Sequence, residues 1–274
     1  MMLTKIEVED LQGNTLSLPL QDSSSGYTVK NIDGLDPVKS LIVFSQFAQL
    51  DGSQFQGARR ENRNIVLTIG IEPYFGVISV RELRQILYSY FMPKTTVNIN
   101  FFTDGVLTSI IQGQVESCET PLFSKEPELV ISILCFDPNF SSPASVVVAG
   151  HTVSNSTEQT ITYPGSVETG YLLTVNVNRA ATGFTIYNRR PNGNIATLDF
   201  GMALLTGDIV KISTMMRNKY ATLTRAGVTT SVIYAISTVA KWSPLYPGDN
   251  FYRVLATGAN IPFTLEYTAK YGGL

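Results

Sequence analysis

RNIVLTIGI, residues 63–71, sets Ile65, Leu67, Ile69 and Ile71 two positions apart. A period of two lines those side chains up on one face of an extended strand, whereas a helix would scatter them around its axis. YLLTVNVN, residues 171–178, repeats the pattern: Tyr171, Leu173, Val175 and Val177 alternate with Leu172, Thr174, Asn176 and Asn178. Between and beyond these two stretches the chain keeps to short apolar runs broken by turn residues. Asn31–Pro37 (NIDGLDP) reads as a turn, Leu41–Phe47 as a strand, and Asp51-Gly52 and Asp104-Gly105 as tight turns. Strands are expected at Thr96–Phe102, Leu107–Val115 and Leu129–Phe136. Further on, RPNGN (190–194) reads as a hairpin turn between TIYNR and IATLDF. IVKIST (209–214), Tyr220–Thr224, Val232–Ser237 and Phe251–Ala256 read as more strands. Many short strands with regularly spaced turns predict a mainly β protein whose second half is an antiparallel sandwich or barrel.

One helix interrupts this pattern. Ser79-Val80-Arg81-Glu82 has the spacing of a capping box, in which the Ser hydroxyl and the Glu carboxylate satisfy free N–H groups at a helix start. Apolar residues then recur at Val80, Leu83 and Leu87 and at Ile86 and Tyr90, and Pro93 stops the run. The spacing predicts a helix over 79–91 inside a β-rich first unit.

Composition agrees with strands. Of 274 residues, 15% are charged, against about 25% in ordinary soluble domains. Ser and Thr number 51, and Tyr and Phe together 27. That profile excludes a coiled coil and a disordered chain, and the net charge of −2 gives no bulk electrostatic case for binding nucleic acid. No run approaches the 18 or more apolar residues of a membrane-spanning helix, and MMLTKIEVED lacks the basic-then-apolar order of a signal peptide, so synthesis in the cytoplasm is expected. Residues 1–140 carry 10 Lys and Arg against 16 Asp and Glu, a net of −6; residues 141–274 carry 10 against 6, a net of +4. The Pro- and Ser-rich stretch 136–145 (FDPNFSSPAS) lies at that shift. It predicts two units, 1–140 and 141–274.

Catalytic chemistry leaves little trace. His151 is the single histidine, and no G-x-S-x-G elbow, phosphate-cradling loop, dinucleotide fingerprint or calcium loop occurs. Cys118 and Cys135 fall in strand-like segments and suit small buried hydrophobes better than metal ligands or a disulfide framework. No cofactor, no metal and no enzyme activity are expected. Two features fit a contact with another molecule. Arg59, Arg60 and Arg63 form the one basic cluster, suited to a solvated turn or an acidic partner surface. Trp242, the only tryptophan, and Tyr246 could anchor an interface or stack on a sugar. A carbohydrate-binding module built on the second unit is therefore the alternative functional reading.

The order of segments carries a resemblance. GLDP (34–37), DG (51–52), RNIVLTIGI (63–71), RELRQILY (81–88), ISILCFDPNF (131–140) and WSPLYPGDN (242–250) follow one another as in the distal tail proteins (Dit) of long-tailed siphophages. Cys135, Asp137, Pro138 and Phe140 look like that family's C-x-D-P-x-F. Trp242, Leu245, Pro247, Gly248 and Asn250 look like its W-x-x-L-x-P-G-x-N. The resemblance implies an N-terminal β-barrel or sandwich domain with one helix, followed by a galectin-like antiparallel β-sandwich. It implies a structural virion protein of the phage tail tip and baseplate: a homo-hexameric hub that joins the tail tube protein to the tail-tip (Tal-type) protein and to receptor-binding proteins. Fold does not fix function, and the galectin-like label carries no sugar site with it. The low charge and the aromatic content suit faces covered by neighbouring copies.

Overall fold

The computed structural model describes residues 2–20, 22, 24–48, 51–73, 78–121, 127–258 and 260–274. The chain divides into two units: one runs to Pro143 and includes Gly272–Leu274, and the other is Ala144–Tyr271.

In the first unit, β1 (Leu3–Asp10), β2 (Thr15–Pro19), β3 (Tyr27–Asp33), β4 (Ser40–Ser45), β5 (Gln54–Arg60) and β6 (Arg63–Ile71) precede α1 (Val80–Phe91). β7 (Thr96–Thr103), β8 (Val106–Glu119) and β9 (Glu128–Cys135) follow it. All but β4 and β5 join in the antiparallel order β2-β1-β7-β8-β9-β6-β3. The long strand β8 makes this possible: its first part pairs with β7 and its second with β9, with Gln114 meeting both Thr96 and Leu134. Among the described residues the sheet does not close into a barrel, since β2 and β3 each pair on one side only.

The alternation read in 63–71 is present in space, with Ile65, Leu67, Ile69 and Ile71 all buried. Ile131 and Ile133 of β9 and Ile99 and Phe101 of β7 are buried as well. Each such side chain removed from water contributes roughly 1.5–3 kcal/mol. Helix α1 buries Leu83, Leu87 and Phe91. Its capping box is formed: the Glu82 amide donates to Ser79 Oγ at 3.3 Å, and the Ser79 amide donates to Glu82 Oε2 at 2.8 Å. The turn expected at 31–37 begins later, because Asn31–Asp33 stay paired with β6 and the chain reverses only at Gly34, φ +89°.

In the second unit, β10 (Phe140–His151) enters from the first, so the predicted linker is extended strand from Phe140 onward. One sheet has the order β17 (Val228–Ser231), β16 (Tyr220–Arg225), β15 (Ile209–Ser213), β12 (Tyr171–Asn176), β19 (Pro262–Tyr271). The other has β11 (Gln159–Tyr163), β18 (Gly248–Leu255), β13 (Phe184–Arg189), β14 (Ile195–Phe200). Both are antiparallel.

Rings bridge the two sheets. Tyr171 of β12 meets Tyr252 of β18 edge-on at 5.6 Å, and Tyr252 meets Phe263 of β19 at 6.1 Å. Of the antiparallel sandwich or barrel that the alternation and turns predict, the second unit is the sandwich. The turn at 190–194 is a hairpin as read, closed by the Arg190 amide on Asn194 O at 2.8 Å with Gly193 at φ +83°.

Val232–Ser237 is not a strand. Ile233–Ala235 form a 3-10 turn in which the Ala235 amide donates to Val232 O and the Ile236 amide to Ile233 O. Val232, Ala235 and Ile236 are buried while Ile233 and Tyr234 face solvent, a spacing near three rather than two.

Candidate functional site

β6 begins at Arg63, and that side chain is 1% exposed. A buried guanidinium needs acceptors for its donors, and this one meets four backbone carbonyls. Nε donates to Pro138 O at 2.7 Å, Nη1 to Asp36 O at 2.7 Å and also to Gly34 O, and Nη2 to Gly272 O at 2.6 Å. The guanidinium lies 4.3 Å from the centroid of the Phe140 ring, which in turn meets Phe101 edge-on at 5.5 Å. Burial lowers the Arg63 pKa from its ordinary value, though arginine stays charged in any protein setting.

Arg63 thus ties together the GLDP turn, the C-x-D-P-x-F stretch and the tail at Gly272. Of the three arginines read as a candidate partner contact, Arg63 is the one turned into its own unit, 1% exposed and bonded to carbonyls of that unit. The clue lay in its place at the head of a strand whose next core residue is Ile65.

Arg59 and Arg60 lie elsewhere, at the end of β5 and exposed. Arg60 Nη1 donates to Asn139 Oδ1 at 2.7 Å, and the base of the hairpin is closed by the Glu61 amide on Lys39 O at 3.0 Å. Among the described residues β4 and β5 pair only with each other. Their register sets Leu41 against Arg59, Ile42 against Ala58 and Phe44 against Phe55. Leu41, Ile42, Val43, Phe44 and Phe55 are all exposed. This hairpin is the feature that the sequence reading missed: Leu41–Phe47 is apolar enough to pass for a core strand.

Trp242 and Tyr246 sit in the second unit. Trp242 packs partly against the core, with Lys219 Nζ 6.0 Å from its ring. The guanidinium of Arg190 lies 4.6 Å from the centroid of the Tyr246 ring. Between them the backbone is held tightly: Leu245 exchanges both hydrogen bonds with Thr169, at 2.8 and 3.0 Å. The fully buried Asn250 accepts from the Tyr246 amide at 3.0 Å and donates to Tyr246 O at 2.7 Å and Gly248 O at 3.1 Å. The W-x-x-L-x-P-G-x-N stretch is therefore bound up with folding this corner.

His151 ends β10 and is exposed. Among the described residues no three His, Cys, Asp or Glu side chains are grouped to hold a metal ion. Cys118 and Cys135 are free thiols whose pKa burial pushes up to about 11. No helix among the described residues is long and apolar enough to cross a membrane.

No protein-family model and no curated protein matches this chain. Solved structures do. The SPP1 Dit protein, described as a paradigm of hub adsorption apparatus in phages that infect Gram-positive bacteria, is 16% identical. The match covers 97% of this chain and 98% of that one, with a TM-score of 0.69. The baseplate of phage P2 in its activated conformation with Ca aligns over the same shares at 9% identity and a TM-score of 0.47. The chain has a Dit-like fold across both units.

Proposed function

We propose that this chain is a structural component of a phage tail: a distal tail hub at the tail tip, where it forms a homo-hexameric ring. The ring joins the tail tube protein on one side to a tail-tip protein and receptor-binding proteins on the other. One observation carries it. The likeness to SPP1 Dit, a hub protein, runs through 97% of this chain and so includes both units in one order. The ordered stretches GLDP and C-x-D-P-x-F support it further, because in this chain they converge on one buried arginine. Few charges and many aromatics are what a chain needs when neighbouring copies cover much of it.

The test is assembly. Virions made without this chain should yield tails that lack a tip and do not adsorb, and the supplied wild-type chain should restore both. Negative-stain images of restored tails should carry the tagged chain at the tube end. A tagged chain found only free of particles overturns the reading. Glycan-array binding abolished in Trp242→Ala, with the fold intact, would instead favour the carbohydrate-binding alternative.

A further inference from the structure

We infer that the β4–β5 hairpin is an arm by which one copy of this chain grips the acidic first unit of a second copy. The inference rests on the hub reading and names the surface that joins its copies.

A two-stranded hairpin is marginal in water unless a sheet or helix covers one face. Here both faces are open. Ile42 is 57% exposed, Phe44 54% and Phe55 65%. Ile42 and Phe44 lie on one side with their partners Ala58 and Phe55, and Leu41 and Val43 on the other with Arg59 and Gly57. Apolar side chains grouped in this way mark an interaction site.

Charge decides what covers it. Residues 40–60 hold Arg59, Arg60 and Asp51, a net of +1, so the rest of residues 1–140, at −6 in total, carries −7. Glu72, Asp104, Glu116, Glu119 and Asp137 of that remainder are exposed. The same chain therefore bears a weakly basic apolar arm and an acidic body. A contact of arm to body is heterologous, and its repetition closes a ring where the rotation between neighbours divides a full turn. Size agrees: β4 and β5 supply 13 residues, about half of the roughly 20–30 that one side of a standard interface uses. The arm would form the apolar centre, with Arg59 and its acidic counterparts at the rim.

The full chain is tested by light scattering after size exclusion over a wide concentration range, beside Phe44→Ser/Phe55→Ser and Arg59→Glu. The double variant should raise the concentration for half-assembly at least tenfold, and Arg59→Glu should raise it less and reduce its salt dependence. Circular dichroism should be unchanged, because β4 and β5 lie outside the sheet that holds the core of the first unit.

A photo-crosslinking residue at position 55, in a mixture of light and isotope-labelled chains, should give interchain links to residues 1–140. If the wild type assembles but both variants assemble equally well, or if the links fall in 144–271, the arm is not the joint and the hub reading stands. A wild type that stays monomeric without interchain links overturns the inference, while tail complementation still decides the hub reading by itself.

Discussion

A guanidinium carries five N–H donors in a planar fork, and Arg63 turns that fork toward four carbonyls from three separate stretches of chain. Lysine offers three donors from one atom and cannot span them. Arg63→Lys should therefore leave buried carbonyls unsatisfied and destabilise the first unit by about 2–4 kcal/mol, read from urea denaturation. In the second unit Asp208 is 2% exposed and takes a two-point contact from Arg225, Nε to Oδ1 at 2.9 Å and Nη2 to Oδ2 at 2.6 Å. Those hydrogen bonds hold its carboxyl below the ordinary value. A lowered folded-state pKa means stability that is fully present above the unfolded value, near 3.9, and lost as pH falls through the folded one. Asp208→Asn should lower the urea midpoint at pH 7 and flatten the fall in stability below about pH 4. An unchanged acid slope would show that Asp208 is not the group titrating there.

At the scale of elements, α1 and β8 depend on features of opposite legibility. The capping box Ser79–Glu82 was readable because its chemistry is local, and Ser79→Ala should cost about 1 kcal/mol, seen in thermal melts. Gly113 in β8 was not. A Cβ there would lie 2.5 Å from Ile133 Cγ2 and 2.8 Å from Cys135 Sγ, a closeness that only the register of β8 on β9 creates. Gly113→Ala should destabilise by about 1–3 kcal/mol through overpacking, measured in the same melts. Strands whose alternation carried a buried face, such as 63–71 and 171–178, could be read from sequence for the reason that they fold: burial selects one face. The stretch 232–237 misled because its apolar run satisfies two periods, and the burial of Val232, Ala235 and Ile236 follows the one near three. β17 escaped notice because its turn puts Ala226 at φ +49° beside Gly227, where a glycine or asparagine is the usual signal.

For the whole molecule, the same logic separates what was legible from what was not. The order of short stretches along the chain pointed to the Dit-like fold, since order survives when residues change. Arg63 and its neighbours Arg59 and Arg60 looked like one basic cluster, and only the fold sends the first inward and leaves the other two on an exposed hairpin. Spacing in sequence cannot report that, because Arg60 ends β5 and Arg63 begins β6. The partition into two units has a thermodynamic consequence. Every partner of Arg63 belongs to the first unit, and the partners of Asp208, namely Arg225 and the Leu205 amide, belong to the second. Perturbations that share no partner should add, so the double variant Arg63→Lys/Asp208→Asn should lose the sum of the single losses to within about 0.5 kcal/mol. Calorimetry should assign the loss in each single variant to a different part of the unfolding profile, because each unit closes its own hydrophobic core. A coupling above about 1 kcal/mol would mean that shared structure joins the two sites, and a single calorimetric transition shifted by both variants would mean that one cooperative unit spans the chain.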